Sequence, residues 1–346
     1  MSIRYFDPTA DQSWLELVNR SPLGSVFHHP GWLKALATTY EYRPRGVTTA
    51  ALSDPIDSGI VFCEVESWIT GRRLVSLPFA DHCDPLVEGA EGIAAMVEWA
   101  EEERKREKWK YIELRPIDSK KFAGTAIVPS CSYWLHSLSL EPSAATLFGN
   151  LNKNNLQRRI RRAERENLVY ERAASPELLD LFYRLMLKTR RRHGLLPQPR
   201  AWFQNLLRYM SPDAEIRVAS KGTIAVGAIF TLRHKGTVVY KYGCSDEHYH
   251  NLGAMPFLFW KMINESKSEG AEQIDFGRTD LDNNGLIGFK DRLGTTRRQI
   301  TYFRYPQNSK ERGAVATYLP SMRHLFSKLP DSLSSLAGGM LYRHIG

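Results

Sequence analysis

Two stretches of this chain, 162 residues apart, follow one plan. "KWKYIELRPID" comes after a charged amphipathic helix pattern, and so does "AEQIDFGRTDL"; Ile112-Glu113-Leu114 falls on Ile274-Asp275-Phe276. Upstream, "GRRLVSLPFADHCDP" resembles "GTVVYKYGCSDEH" at nearly the same offset. Each half therefore reads as a strand hairpin, a polar loop, a helix and a strand. This confines the chain to an α/β (α+β) fold of two similar units, with a basic helical region, 146–210, between or inserted. The expected domains are 1–145, 146–306 including that region, and a tail, 307–346.

The coarse elements fit the plan. Residues 11–19 and 30–40 read as short helices, and 45–52, 60–69 and 73–79 as strands. Ile93, Met96, Val97 and Ala100 recur at helical spacing within 91–109, before strand 111–115. Helices follow at 146–168, 176–193 and 199–210, then strands at 214–220, 224–234 and 237–243. A helix over 255–269, a strand over 272–277 and a last strand, "RRQITYFRYP", complete the compact part.

Composition narrows the function classes. With 42% hydrophobic and 25% charged residues the chain is globular rather than disordered. Its net charge of +9 suits an anionic partner: nucleic acid, nucleotide or pyrophosphate substrate, or acidic membrane. The four cysteines show no C-x-x-C pair, and Asp81-His82-Cys83-Asp84 bunches potential ligands on one short loop, so no metal is expected. No Walker, Rossmann or G-x-S-x-G pattern is present, nor an RRM, KH or zinc-finger signature that would read DNA sequence. The N-terminus lacks the pattern of a signal peptide and no apolar run is long enough to span a bilayer, so the cytoplasm is the expected location.

Three segments could carry chemistry. "NKNNLQRRIRRAEREN" sets Lys153, Arg158, Arg159, Arg161, Arg162 and Arg165 around a narrow stripe of Leu156, Ile160 and Ala163. Such a helix is either a solvated face or a holder of phosphates through forked guanidinium contacts. "CSDEHYHNLGAMPFLFW" links a strand to a helix, where backbone amides can bind pyrophosphate. Its Gly253-Ala254 is similar to the Q/R-x-x-G-x-G/A loop of acyl-CoA-dependent acetyltransferases, though a Gly-Ala before a helix is more often an ordinary turn. The third is "QIDFGRTDLDNNGLIGFKDRLGT", residues 273–295, with one lysine behind a run of polar groups.

That third segment resembles the FemAB family of peptidoglycan-bridge aminoacyltransferases, which runs from a strand through a polar loop into G-L-x-x-F-K and a later glycine. Here these are Gly285-Leu286-Ile287-Gly288-Phe289-Lys290, with Gly294 beyond. Looser matches, "VFHHPGWLKAL", "LPFADHCDPL", "KTRRRHGLLPQP" and "VYKYGCS", occur in the family's order. The resemblance implies two tandem GNAT-like domains and acyl or aminoacyl transfer to an amine of a peptidoglycan or exopolysaccharide precursor. It implies no permanently bound cofactor, and aminoacyl-tRNA or acyl-CoA as donor. Lys290 would stabilise the tetrahedral oxyanion, and Asp275 or Asp280 would take the amine's proton. Phe289, Tyr240, Tyr242, Arg278, Asn283 and Asn284 would line the substrate, and Arg192 or Arg200 would meet a phosphate. Gly253 and Ala254 would hold an acyl-CoA donor.

Alternation along 237–243 puts Tyr240 and Tyr242 on one sheet face. The absence of a long heptad-patterned helix pair in 146–210 favours the exopolysaccharide-associated branch over cell-wall bridge formation. Two alternatives remain: an acyl-CoA-dependent N-acyltransferase, and a non-catalytic protein binding RNA or anionic glycan. In the tail, Leu319, Met322, Leu325, Phe326 and Leu329 recur at helical spacing among basic residues. Residues 317–346 would thus either contact a membrane peripherally or dock on their own domain.

Overall fold

The computed structural model describes residues 3–87, 89–122, 125, 127–306, 324 and 326–345. They divide into two compact units: residues up to 133 with 299–306 and 339–345, and residues 134–298 with 324 and 326–338. The sequence reading puts the division at 145/146.

In the first unit β1 (Arg4–Phe6), β2 (Arg43–Thr48), β3 (Ile60–Val65), β4 (Arg73–Val75) and β5 (Ile112–Leu114) pair in chain order. β5 then runs antiparallel to the Phe303–Tyr305 end of β12 (Thr296–Tyr305). Helices α1 (Gln12–Arg20) and α2 (Pro30–Tyr40) precede β2. Asp11 and His29 cap them by accepting first-turn amide hydrogens. α3 (Gly89–Glu107) joins β4 to β5, and its Met96, Val97 and Ala100 pack with Leu74, Trp109 and Ile112. The apolar spacing read from the sequence thus marks the buried face.

In the second unit the order is β6-β11-β10-β9-β8-β7. These are β6 (Val128–Ser139, here from 134), β7 (Val169–Ala173), β8 (Ala214–Lys221), β9 (Ile224–His234), β10 (Thr237–Ser245) and β11 (Gln273–Asp280). α6 (Pro176–Arg192) lies against β8, β9 and β10 and packs with α7 (Arg200–Tyr209), while α8 (Ala254–Ser268) packs with the arginine helix α5 (Arg158–Arg165). Leu156, Ile160 and Ala163 are buried and the arginines of α5 exposed. The helix expected over 146–168 is broken. α4 (Ala144–Asn150) ends at Leu151, and Asn152 caps a π-helical turn, Lys153–Gln157, by accepting from the Asn155 amide. α9 (Asn284–Arg292) follows β11, where the sequence reading named no helix.

The two units repeat one device. β4 and β5 are parallel, with Leu74 opposite Ile112; β10 and β11 are parallel, with Val238 opposite Ile274. A helix makes each crossover. Ile112 and Ile274, equated by the repeat, hold corresponding places.

In the tail, Leu319, Met322, Arg323 and Leu325 lie outside the described residues, while Phe326 is buried. Pro330 precedes α10 (Asp331–Ile345), whose Ser334 and Gly338 are buried and whose Leu333, Leu336 and Met340 are exposed. Among the described residues, no helix is long and apolar enough to cross a membrane.

Candidate active site

β10 pairs with β11 only from Thr237 to Val239, opposite Gln273 to Asp275. Immediately afterwards its ladder with β9 shifts: Tyr240 faces Thr231 and Tyr242 faces Phe230, leaving Lys241 as the extra residue of a β-bulge. A bulge bends the strand and breaks side-chain alternation. Tyr240 therefore packs on α8, its ring 4.8 Å from that of Phe259 and 6.1 Å from that of Phe276. Tyr242 points to the other face, where its hydroxyl accepts a 2.8 Å hydrogen bond from Trp202 Nε1 and its ring meets Phe203. The expectation that both tyrosines share a face is corrected by this one residue. Only Tyr240 reaches the cavity described next.

That cavity, of about 360 Å³, lies at the N-terminus of α8. Its wall is apolar, from Val226, Tyr240, Met255, Phe259 and Phe289. Asn155, Arg159, Ser245, His250 and Arg292 add its polar rim. Gly253 caps α8 at φ +80°, a conformation natural to glycine. A Cβ there would collide with the carbonyl oxygen of Arg159, so a glycine is what lets α5 seat directly on this loop. Gly243 similarly has no side chain where the Tyr240 hydroxyl lies. Burial raises the Tyr240 phenol above its ordinary pKa, so it is protonated at neutral pH.

Ser245, His250 and Arg192 meet at the rim. Ser245 Oγ is 2.9 Å and Arg192 Nη1 3.4 Å from His250 Nε2, and Arg192 also reaches the Ser245 carbonyl at 3.3 Å. Partial burial, then the positive charges of Arg192 and Arg159, lower the His250 pKa. Arg192 is thus placed beside the cavity, as the sequence suggested. Ser245, His250, Met255, Phe259 and Arg292 were missing from the sequence-derived set, and Arg159 stood there only as one arginine of the basic helix; Ser245 and His250 stand in the quoted loop, but their pairing arises only when it coils into a 3₁₀ turn, Glu247–Leu252.

The lysine behind the polar run is buried, at 3% exposure. Lys290 Nζ donates to the carbonyls of Gly277 at 3.0 Å and Arg278 at 3.2 Å. It ties α9 to β11 where β11 turns through Gly277 at φ +70°. Asp275 is buried, and its Oδ1 accepts from the Gly277 amide at 2.7 Å. Asp280, Asn283 and Asn284 are exposed on the turn before α9, and Asn283 caps that helix by accepting from the Leu286 amide. Arg200 is paired with Asp180 at 2.5 Å. Among the described residues that line the cavity are none of these last four, nor Lys290, Asp275 or Arg278.

His136, also absent from the sequence-derived set, is fully buried. Its Nδ1 lies 3.3 Å from Thr295 Oγ1, which donates to the Lys290 carbonyl, and its Nε2 has no hydrogen-bond partner among the described residues. Burial first, and then the Lys290 ammonium, hold its pKa down to about 4, so the ring is neutral.

The first unit has its own, larger recess, of about 1550 Å³, near the start of α3. There Arg20, Lys120 and Lys121 mix with Asp57 and Glu91, and no aromatic side chain contributes among the described residues.

Residues 152–290 match the acetyltransferase (GNAT) domain family. The second unit carries a GNAT acyltransferase domain. No curated protein matches the sequence of the chain. Among solved structures, the crystal structure of FemX is similar at 15% identity, covering 88% of this chain and 97% of that one, with a TM-score of 0.69. L-PGS from Bacillus licheniformis is similar at 15% identity over 93% and 98% of the two chains, TM-score 0.57. A tandem GNAT protein from the clavulanic acid biosynthesis pathway is similar at 10% identity over 88% and 98%, TM-score 0.55. At these identities the likeness is one of fold: two GNAT-like units in tandem.

Proposed function

We propose that the chain transfers an acyl group from a phosphate-bearing carrier, with a CoA thioester as the first candidate, to an amine. The observation that carries this reading is the cavity itself. It follows the point where β10 stops pairing with β11, has an apolar interior and places cations and a helix N-terminus at its rim. An extended arm with amide groups can pair with strand edges at such a split, as an added strand does. Its phosphates would meet the α8 N-terminus, Arg159, Arg292 and Arg192.

In the transfer, the amine nitrogen attacks the donor carbonyl and a tetrahedral oxyanion forms. Collapse breaks the carbon–sulfur bond, and the proton that the amine releases passes through solvent to replace the one given to the departing thiolate. Tyr240, held protonated inside the cavity, is placed to give a proton to the departing thiolate. Lys290 serves first as the strut that holds α9, and with it Phe289, against the cavity. Stabilisation of the oxyanion is a second role for its charge. Loss of an oxyanion donor would lower kcat roughly a hundred- to thousandfold. The FemAB-like segment 285–290, in a chain whose fold is similar to that of FemX, supports an amine on a cell-envelope precursor as acceptor.

A second reading has a specific observation behind it. Arg158, Arg161, Arg162 and Arg165 are exposed on the helix that brings Arg159 to the cavity, a surface suited to a longer polyanion such as an aminoacyl-tRNA. The test is thiol release from a panel of acyl-CoA thioesters with a pool of amine acceptors, run beside ester loss from aminoacyl-tRNA. Acceptor-dependent thiol release, reduced in Tyr240→Phe, supports the CoA reading. Loss of the aminoacyl ester alone would replace it with the second, and turnover of neither would refute both.

A further inference from the structure

The donor's phosphates meet a titratable group at the cavity rim. His250 Nε2 lies within hydrogen-bond reach of Ser245 Oγ and of Arg192 Nη1. A guanidinium can only donate, so Nε2 accepts here and the ring is neutral with its proton on Nδ1. Protonating Nε2 would set two donors, His250 and Arg192, against each other. An anion between them removes that conflict, because it accepts from both.

The charges around His250 come from four elements. Arg192, with Lys188, is on α6, Arg159 on α5 and Arg292 on α9, while Asp246 and Glu247 belong to its own loop. Lys188 already neutralises Asp246 at 2.6 Å. That leaves Glu247 against Arg192 and Arg159, so the protein's own charges at the rim disfavour a further positive charge and a phosphate reverses the balance.

We propose that binding of a phosphate-bearing donor at this cavity takes up a proton at His250, making the imidazolium–arginine pair the recognition element for the phosphate. The inference rests on the donor reading above and adds a thermodynamic signature to it. Donor affinity rises as pH falls through the bound-state pKa of His250 and levels off below its free-state pKa. The steepest change for one linked proton is about tenfold per pH unit. A phosphomonoester on the donor titrates in the same range and opposes this trend. The informative quantity is therefore the difference between wild type and His250→Gln, which can still hydrogen-bond Ser245 but cannot take a proton.

The experiment is calorimetric titration of the full chain with CoA, in two buffers of different ionisation enthalpy, at about pH 6 and about pH 8. The expected result is a proton count near neutrality more positive in wild type than in His250→Gln, by up to one proton, with the affinity gap between the two widening at the lower pH. Saturable CoA binding with the same proton count in both proteins would overturn the inference and leave the donor reading intact. No saturable CoA binding at either pH would refute the CoA donor reading and the inference with it.

Discussion

The two parallel-strand crossovers start alike and end differently. Both place a helix opened by a glycine of positive φ, Gly89 at +77° and Gly253 at +80°, between two parallel strands. In the first unit the chain leaving β4 closes the gap itself. Ser76 donates to the Glu113 carbonyl, Cys83 to that of Arg115, and Arg115 Nη1 bonds the Leu77 and Ala80 carbonyls at 2.7 and 3.2 Å. Leu77 and Phe79 are held at φ near +60°, a conformation that costs about 1–3 kcal/mol per residue and persists only under such strapping. In the second unit the strand bulges at Lys241, the connection is short, and the gap stays open as a cavity. One crossover is closed by its own chain and the other leaves a cavity.

The comparison is broken most severely at Glu113. It is buried between Arg115 at 2.8 Å and Arg304 at 2.7 Å, and despite desolvation their charges hold its pKa to about 2. Glu113→Ala strands two guanidinium groups and is expected to cost about 3–5 kcal/mol in denaturant unfolding. Because the folded pKa lies below the ordinary glutamate value of 4.5, this stabilisation is whole above 4.5 and is lost as pH falls toward about 2. The loss amounts to about 3 kcal/mol. An acid-unfolding midpoint unchanged by Glu113→Ala would contradict the plugged-crossover account.

Next in size is Gly253→Ala, which adds a collision with Arg159 to a left-handed conformation. It is expected to lose about 2 kcal/mol or more of stability, with donor affinity falling alongside. The same change at Gly89, where a Cβ meets open space, should leave donor affinity untouched. Lys290→Met removes the donor to two carbonyls and should cost about 1–3 kcal/mol. If kcat then drops a hundredfold at a temperature where the variant is fully folded, the oxyanion role stands as well; a loss of stability alone leaves the strut. The smallest effect is Tyr242→Phe, which forfeits the Trp202 hydrogen bond for about 1 kcal/mol and leaves donor binding unchanged. Tyr240→Phe should show the reverse pattern in paired stability and turnover measurements.

The repeat was readable because Ile112 and Ile274 occupy matching buried places in a parallel ladder, and such places restrict side-chain choice. The arginine helix was readable for the same reason, since Leu156, Ile160 and Ala163 mark its one apolar face. The bulge was not, because V-V-Y-K-Y-G alternates well enough for a regular strand and the extra residue is set by pairing with β9. Nor was the burial of Lys290, whose ammonium is accepted into the interior by carbonyls that only the turn at Gly277 presents. The rim of the cavity joins α5, α6, α8 and α9, and no sequence spacing relates Arg159, Arg192, His250 and Arg292. Strand β6, rich in serine and aromatic residues, carried no clean period and was missed.

The central claim is that the donor enters at the start of α8. Hydrogen exchange with and without saturating CoA tests it most directly. The account predicts slowed exchange across residues 239–257 and 153–160, with the recess at 17–23 and 86–93 unaffected. Slowing confined to that first-unit recess, or none anywhere at saturation, would contradict it.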